Sequence, residues 1–178
     1  MFDSVSRMAR ISVRNGLIAG ALGFFLLIAL YYMGKHPFLF PVYFDFRLIL
    51  LSVFIVMTLK ELRDGYQEGI LYFGQGMMSS FLFTLVFALL ISLLIWVFCL
   101  VVPQFLANYI STAIAQLNAI QPAVIEQLGK EAYQQSLDKL PATKGIDLAL
   151  DYFLKTFIIS FFISIIISVI LRRQPKTN

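Results

Sequence analysis

Residues 59–80 read LKELRDGYQEGILYFGQGMMSS, and here side-chain types and spacing come nearest to chemistry. Lys60, Glu61, Arg63 and Asp64 are crowded together, and Gly65, Gly69, Gly74 and Gly76 follow. Glycine-freed backbone amides beside Lys and Arg are the ingredients of an anion site. The pattern is not a nucleotide loop, because Gly69 and Gly74 are followed by Gln75-Gly76. The lysine and hydroxyl that hold phosphate and magnesium are missing. The preferred reading is a structured connector between two membrane helices; lipid head-group contact is the alternative. In the connector, Lys60 and Asp64 are i,i+4 partners, and Gly65 ends the helix in a left-handed conformation. Arg63 is fixed by Asp64, Glu68 or backbone carbonyls. Gly69, Gly74 and Gly76 permit tight turns or close backbone approach, with Gly74 expected to turn the chain into the next span, while Ile70, Tyr72 and Phe73 dip toward the membrane and Phe73 anchors at the interface.

Other candidates are sparse. Asp147, Asp151 and Lys155 repeat every fourth residue and share a helix face. Asp151 and Lys155 are predicted to pair at an interface, with Asp45 and Arg47 at the same level. His36, the single histidine, precedes Pro37 in a short loop and is read as solvated, with a ligand or proton switch as the other reading. Cys99, the single cysteine, lies in an apolar run and is read as a packing residue. These residues supply no nucleophile with its base, no metal set and no cofactor motif. No catalytic activity, metal or cofactor is expected.

The elements that hold these residues are hydrophobic. The 178-residue chain has a mean hydropathy of +0.84 and 13% charged residues, against about 25% in soluble domains. The bilayer is therefore the expected solvent. The net charge of +4 reflects basic residues flanking apolar runs and does not indicate nucleic acid. Spans are predicted at about 14–34, 44–60, 77–102 and 148–171. The second has only a short apolar core and needs Lys60 to snorkel. Residues 103–147 are predicted to form a two-helix insertion, either a hairpin-like cap outside the membrane or two helices lying flat at the interface with apolar faces in lipid. Phe105, Leu106, Tyr109, Ile110, Ala113, Ile114 and Leu117 lie at helical spacing, and a second helix starts near Pro122. Trp96, Tyr31, Tyr32 and Tyr43 fit an interfacial aromatic belt. In span one, Gly16 and Gly20 are four apart and Gly23 follows, a face on which another helix can pack closely. Arg7, Arg10, Arg14, Lys60, Arg63, Arg172, Arg173 and Lys176 fall on one side of a four-span protein. That places both termini in the cytoplasm and the insertion outside.

RNGLIAGAL in span one, LKELRDG closing span two and GILYFGQGMMSS entering span three resemble the membrane family called domain of unknown function 4199, common in Bacteroidota. The resemblance covers most of the chain and implies a four-helix inner-membrane protein. Lys60, Arg63, Asp64, Gly69, Phe73 and Gly74 occupy positions of the family's recurring motif. The resemblance brings no activity, substrate or catalytic residue. The expected function is a noncatalytic accessory or scaffolding subunit of a bacterial cell-envelope complex. Its expected partners are membrane lipids and either another membrane protein or a second copy. Two alternatives are a small-solute or ion transporter or channel component, and a subunit presenting a polyprenyl-linked lipid to a glycosyltransferase. In the transport reading, Ser52, Thr58, Ser79, Ser80, Thr84 and Ser92 line a path in a homo-oligomer.

Overall fold

The computed structural model describes residues 2–39, 46–120 and 129–174. Its helices are α1 (Phe2–Tyr32), α2 (Phe46–Tyr66), α3 (Phe73–Val101), α4 (Pro103–Asn118), α5 (Lys130–Lys139) and α6 (Gly145–Leu171). Short 3-10 turns stand at Pro37–Leu39 and Leu140–Ala142. Ser6–Tyr32, Phe73–Val101 and Gly145–Leu171 are long and apolar enough to cross a membrane, which marks a multi-pass membrane protein. The uncharged run of α2, residues 48–59, covers about 18 Å at 1.5 Å per residue, short of the roughly 30 Å hydrocarbon core.

α1, α2, α3 and α6 pack as a bundle in which α1 and α6 each contact both α2 and α3. The polarity is that of a protein dissolved in lipid. Leu89, Leu93, Leu100, Ile158, Phe162 and Ile170 are exposed, whereas Ser79, Ser80, Thr84, Thr156, Ser160, Ser164 and Ser168 are buried. Small hydroxyl residues between helices allow close backbone approach, and large apolar side chains suit the acyl chains outside.

α1 and α3 approach through glycine. A Cβ on Gly16 would lie 2.9 Å from the Phe83 carbonyl oxygen. On Gly20 it would lie 2.9 Å from Leu90 Cδ2, and on Gly23, 2.7 Å from Ile91 Cδ1. Gly145 plays the same part where α6 begins, its Cβ position being 2.6 Å from Cys99 Cβ. Cys99 is thus a buried packing residue.

The helices overrun their expected bounds at several ends. α1 starts well before residue 14, α2 continues past Lys60 to Tyr66, and α3 starts at Phe73 instead of 77. The connector shrinks to residues 67–72. Gly65 does not stop α2. The chain reverses at Glu68 (φ 51) and Gly69 (φ 82), and the Gly69 N–H donates to the Arg63 carbonyl at 2.9 Å. α4 buries the expected stripe, with Phe105 and Ala113 deepest. The helix start expected at Pro122 lies outside the described residues; α5 is described from Lys130.

Candidate functional site

One end of the bundle, the basic end, gathers residues 12–15 of α1, the end of α2, the start of α3 and the end of α6. Arg14 on α1 donates to both carboxylate oxygens of Glu61 on α2, at 2.6 and 2.5 Å. The neighbouring Asn15 is buried and its Nδ2 donates to Thr58 Oγ1 at 3.1 Å and to Glu61 Oε2 at 3.3 Å. Ser12 and Ser79 share a buried hydrogen bond of 2.9 Å between α1 and α3. RNG and KELRD, far apart in sequence, therefore form one polar joint.

Arg63 is buried and forks onto its neighbour Asp64, with Nε to Oδ1 at 2.6 Å and Nη2 to Oδ2 at 2.9 Å. That hydrogen-bonded pair holds the Asp64 carboxyl below its usual range, and the charges of Arg173 and Lys60 add to the effect. The carboxylate faces Arg63, so Lys60 contributes only at longer range to a group expected to be its i,i+4 partner. Gly74 is not a turn. It is the second residue of α3, has no positive φ, and a Cβ there would meet nothing within 4 Å. The glycine with a packing reason is Gly76, whose Cβ position is 3.0 Å from Ser168 Oγ on α6. Phe73 is exposed at the first position of α3.

The connector's buried anchor is Leu71, fully enclosed, whereas Tyr72 and Phe73 stay exposed. Leu71 and Arg173 form an antiparallel bridge, each backbone N–H donating to the other's carbonyl at 2.9 Å. The chain beyond α6 is thereby tied to the α2–α3 connector.

The opposite, capped end is aromatic. His36 packs against Phe105 (centroids 4.6 Å), Tyr109 (5.4 Å) and Phe38 (5.8 Å). Its Nε2 lies 3.1 Å from the Phe105 carbonyl oxygen. Burial lowers the imidazole pKa, partly offset by that carbonyl. His36 is therefore a partly buried cap residue, not the solvated one expected; its cage comes from residues far away in sequence. Tyr31 also belongs to this cluster, with its ring 5.0 Å from Phe105 and its hydroxyl accepting from Asn108 at 3.2 Å. Tyr32 and Trp96 are exposed on the bundle surface, and Tyr43 lies outside the described residues.

Asp151 and Lys155 form an ion pair of 2.7 Å along α6, with both side chains about half exposed. Asp147 does not join them: its Oδ2 accepts from the Lys144 N–H at 2.8 Å and caps α6. Arg47 lies over the Tyr152 ring at 4.6 Å, and Asp45 lies outside the described residues. α4, α5 and the turns beside them enclose an open depression of about 660 Å³, floored by Tyr109, Leu117 and Leu140 and rimmed by Gln116 and Lys139.

Of the hydroxyls expected to line a path, Thr58, Ser79, Ser80 and Thr84 are buried inside a single bundle. Thr58 donates to the Phe54 carbonyl at 2.7 Å, Ser52 donates to the Leu48 carbonyl at 2.6 Å, and Thr84 bonds Ser160 across the α3–α6 interface. Among the described residues, no group of three His, Cys, Asp or Glu side chains is placed to hold a metal.

Sequence reasoning missed Asn15, Leu71 and Arg173 as joint residues, and the α6 stripe Tyr152, Thr156, Ser160, Ser164 and Ser168. The stripe's four-residue period was present in the sequence; the partners of the other three were not.

A family model described as "Protein of unknown function (DUF4199)" matches residues 14–173. No curated protein and no solved structure matches the chain. The match begins at Arg14 and ends at Arg173, the two arginines of the basic-end joints, and the chain belongs to this family.

Proposed function

We propose that this protein is a noncatalytic accessory or scaffolding subunit of a bacterial cell-envelope membrane complex. It sits in the inner membrane with four spans, both termini cytoplasmic, and α4 and α5 outside. The observation that carries the reading is the division of labour between the ends. At the basic end the charged and amide side chains Arg14, Asn15, Glu61, Arg63 and Asp64 are spent on one another. At the capped end a helical platform carries an open, partly apolar depression, a shape suited to a partner's side chains.

The four-span count draws support from α2 reaching both ends of the bundle. Arg47 meets Tyr152 near the start of α6, and Glu61 meets Arg14. A short apolar core suffices when flanking Arg and Lys snorkel and the other helices shield the helix. The orientation follows from the Lys and Arg excess at the basic end.

Purification of the full chain from native membranes in mild detergent, with identification of co-purifying proteins, tests this reading. A reproducible partner lost on changing Leu117 or Leu140 to Glu supports it. A lone monodisperse species that moves a solute in liposomes sinks it in favour of transport. Cysteine labels beside Lys60 should react only from the cytoplasmic side and labels near Gly129 only from outside; the reverse overturns the orientation.

A further inference from the structure

Near the basic end the α3–α6 interface parts into a cleft of about 240 Å³, lined by Met77, Phe81 and Thr84 on one wall and Phe157, Phe161 and Ser164 on the other. Phe81 and Phe157 meet edge to face across it, with centroids 5.3 Å apart. Phe81 and Phe161 are about half exposed and form its lips. Ser164 is only 3% exposed, and its hydroxyl has no hydrogen-bond partner. Nearby Thr84 and Ser160 satisfy each other, so Ser164 is the unmet polar group of the cleft wall. Leaving such a hydroxyl unpaired in an apolar site is unfavourable.

We propose that this cleft binds an anionic phospholipid, with an acyl chain between the phenylalanines, an ester carbonyl accepting from Ser164 and the phosphate at Arg172. The size fits. An apolar cavity of about 150 Å³ takes a benzene-sized molecule, so 240 Å³ accommodates roughly eight to ten chain carbons on that scale. The register fits too. Arg172, the residue that caps the end of α6, follows Phe161 by eleven residues, close to three helical turns, so the helix ends on the side that carries Phe161. Arg172 stands about 12 Å beyond Ser164 along the axis, and an arginine side chain reaching back covers about half that distance, leaving the spacing from a phosphate to an ester carbonyl. Depth is consistent as well. The uncharged stretch of α6 after Lys155, residues 156–171, spans about 24 Å against a core of about 30 Å, which sets Arg172 at the core's edge within snorkelling reach of the head groups. Charge favours an anion. Arg172 is exposed, and the carboxylates Glu61 and Asp64 at this end are engaged by Arg14 and Arg63. The proposal is independent of the accessory-subunit reading.

The test uses the full chain reconstituted in phosphatidylcholine bilayers doped with phosphatidylglycerol bearing a photoactivatable sn-2 chain, with cross-linked positions mapped by mass spectrometry. Cross-links should concentrate at residues 77–84 and 157–164, severalfold over the equally lipid-exposed Leu93 and Ile170. Ser164→Phe, which fills the cleft, should cut that enrichment severalfold. Ser164→Ala, which cannot overpack, should lower the phosphatidylglycerol retained through detergent washing at unchanged thermal stability. Arg172→Gln should remove the preference for a phosphatidylglycerol probe over a phosphatidylcholine probe while chain cross-links persist. Even labelling around the bundle means ordinary surrounding lipid and overturns the site. Retention unaffected by Ser164→Ala, or a head-group preference unaffected by Arg172→Gln, overturns the assigned contacts.

Discussion

The two ends of the bundle are held by different physics. At the basic end, two joints are directional and name their partners: Arg14 with Glu61, and Asn15 with Thr58. The Leu71–Arg173 backbone bridge adds a third. The first two fix one helix's register against another, because a shift of one residue breaks the bond, and the bridge ties the chain beyond α6 to the α2–α3 connector. At the capped end, Tyr31, Phe38, Phe105 and Tyr109 surround His36 in edge and tilted contacts, and Phe98 packs behind them against Tyr31 and Phe105. Ring packing of this kind contributes about 0.5–1.5 kcal/mol per pair beyond burial and tolerates small rotations. The contrast assigns a rigid frame to the charged, amide and glycine residues of the basic end, and adaptability to the end that carries the platform.

The harshest test of the rigid frame is Gly16, since the atom its Cβ would strike is the Phe83 backbone oxygen at 2.9 Å. Backbone inside a helix cannot move aside alone. Gly16→Leu is expected to destabilise at the upper end of the roughly 1–3 kcal/mol typical of overpacking. Gly20→Leu should cost less, because the neighbour there is the end of the Leu90 side chain. Thermal unfolding of both variants in one detergent decides the order. Equal effects would mean that α1 shifts bodily and the frame is not rigid.

A smaller effect separates backbone from side chain at the Leu71–Arg173 bridge. Arg173→Pro removes the N–H that meets the Leu71 carbonyl and leaves a buried acceptor unpaired, at about 1–3 kcal/mol. Arg173→Ala keeps that bond and should lie within about 0.5 kcal/mol of wild type. If both variants lose stability equally, the arginine's charge matters and the bridge does not. Glycine contrasts continue the series. Gly69→Ala forces a side chain into φ 82 and should destabilise by about 1 kcal/mol. Gly74→Ala, in open helical space, should stabilise by about 0.5–1 kcal/mol. Opposite signs of these two changes in thermal stability would place the connector's turn at Gly69.

These residues also mark what the sequence made legible. The spacing of Gly16, Gly20 and Gly23 displays a close-packing face, because helical period is local information. The α4 stripe was readable for the same reason. Charge proximity around residue 60 pointed to a joint without its partners. Asp64 had Lys60, Arg63 and the distant Arg173 competing for it, and spacing alone does not rank them. Several glycines in one stretch each permit positive φ, and spacing does not rank them: Gly69, with Glu68, makes the turn, whereas Gly65 and Gly74 stay helical. The cage around His36 was illegible because its rings come from α1, the Pro37–Leu39 turn and α4. The Leu71–Arg173 bridge was hidden for a stronger reason: backbone pairing leaves no side-chain signature.

The smallest expected effect is one of pH, and it tests whether the two ends respond separately. Burial places the His36 pKa below its ordinary value of about 6.5. The fold therefore prefers neutral imidazole, and the unfolded chain binds more protons as pH falls. Stability from this group is complete above about pH 6.5 and declines as pH drops through that value toward the lowered folded pKa. Asp64 has the opposite chemistry. Its folded pKa lies below the ordinary 3.8 because Arg63 holds the carboxylate, so its contribution is complete above about pH 3.8 and is lost only under stronger acid. Between pH 7 and 5 the capped end should loosen while the basic end holds. Hydrogen-exchange protection, taken relative to the intrinsic rate at each pH, should fall at Phe105–Tyr109 and stay unchanged at Leu71 and Arg173, and His36→Gln should abolish the difference. The effect is small because the ring is only partly buried and acid need not disrupt its neighbours' packing. Equal quickening at both ends would show that the bundle opens as one unit, and the division between rigid frame and adaptable cap would be wrong.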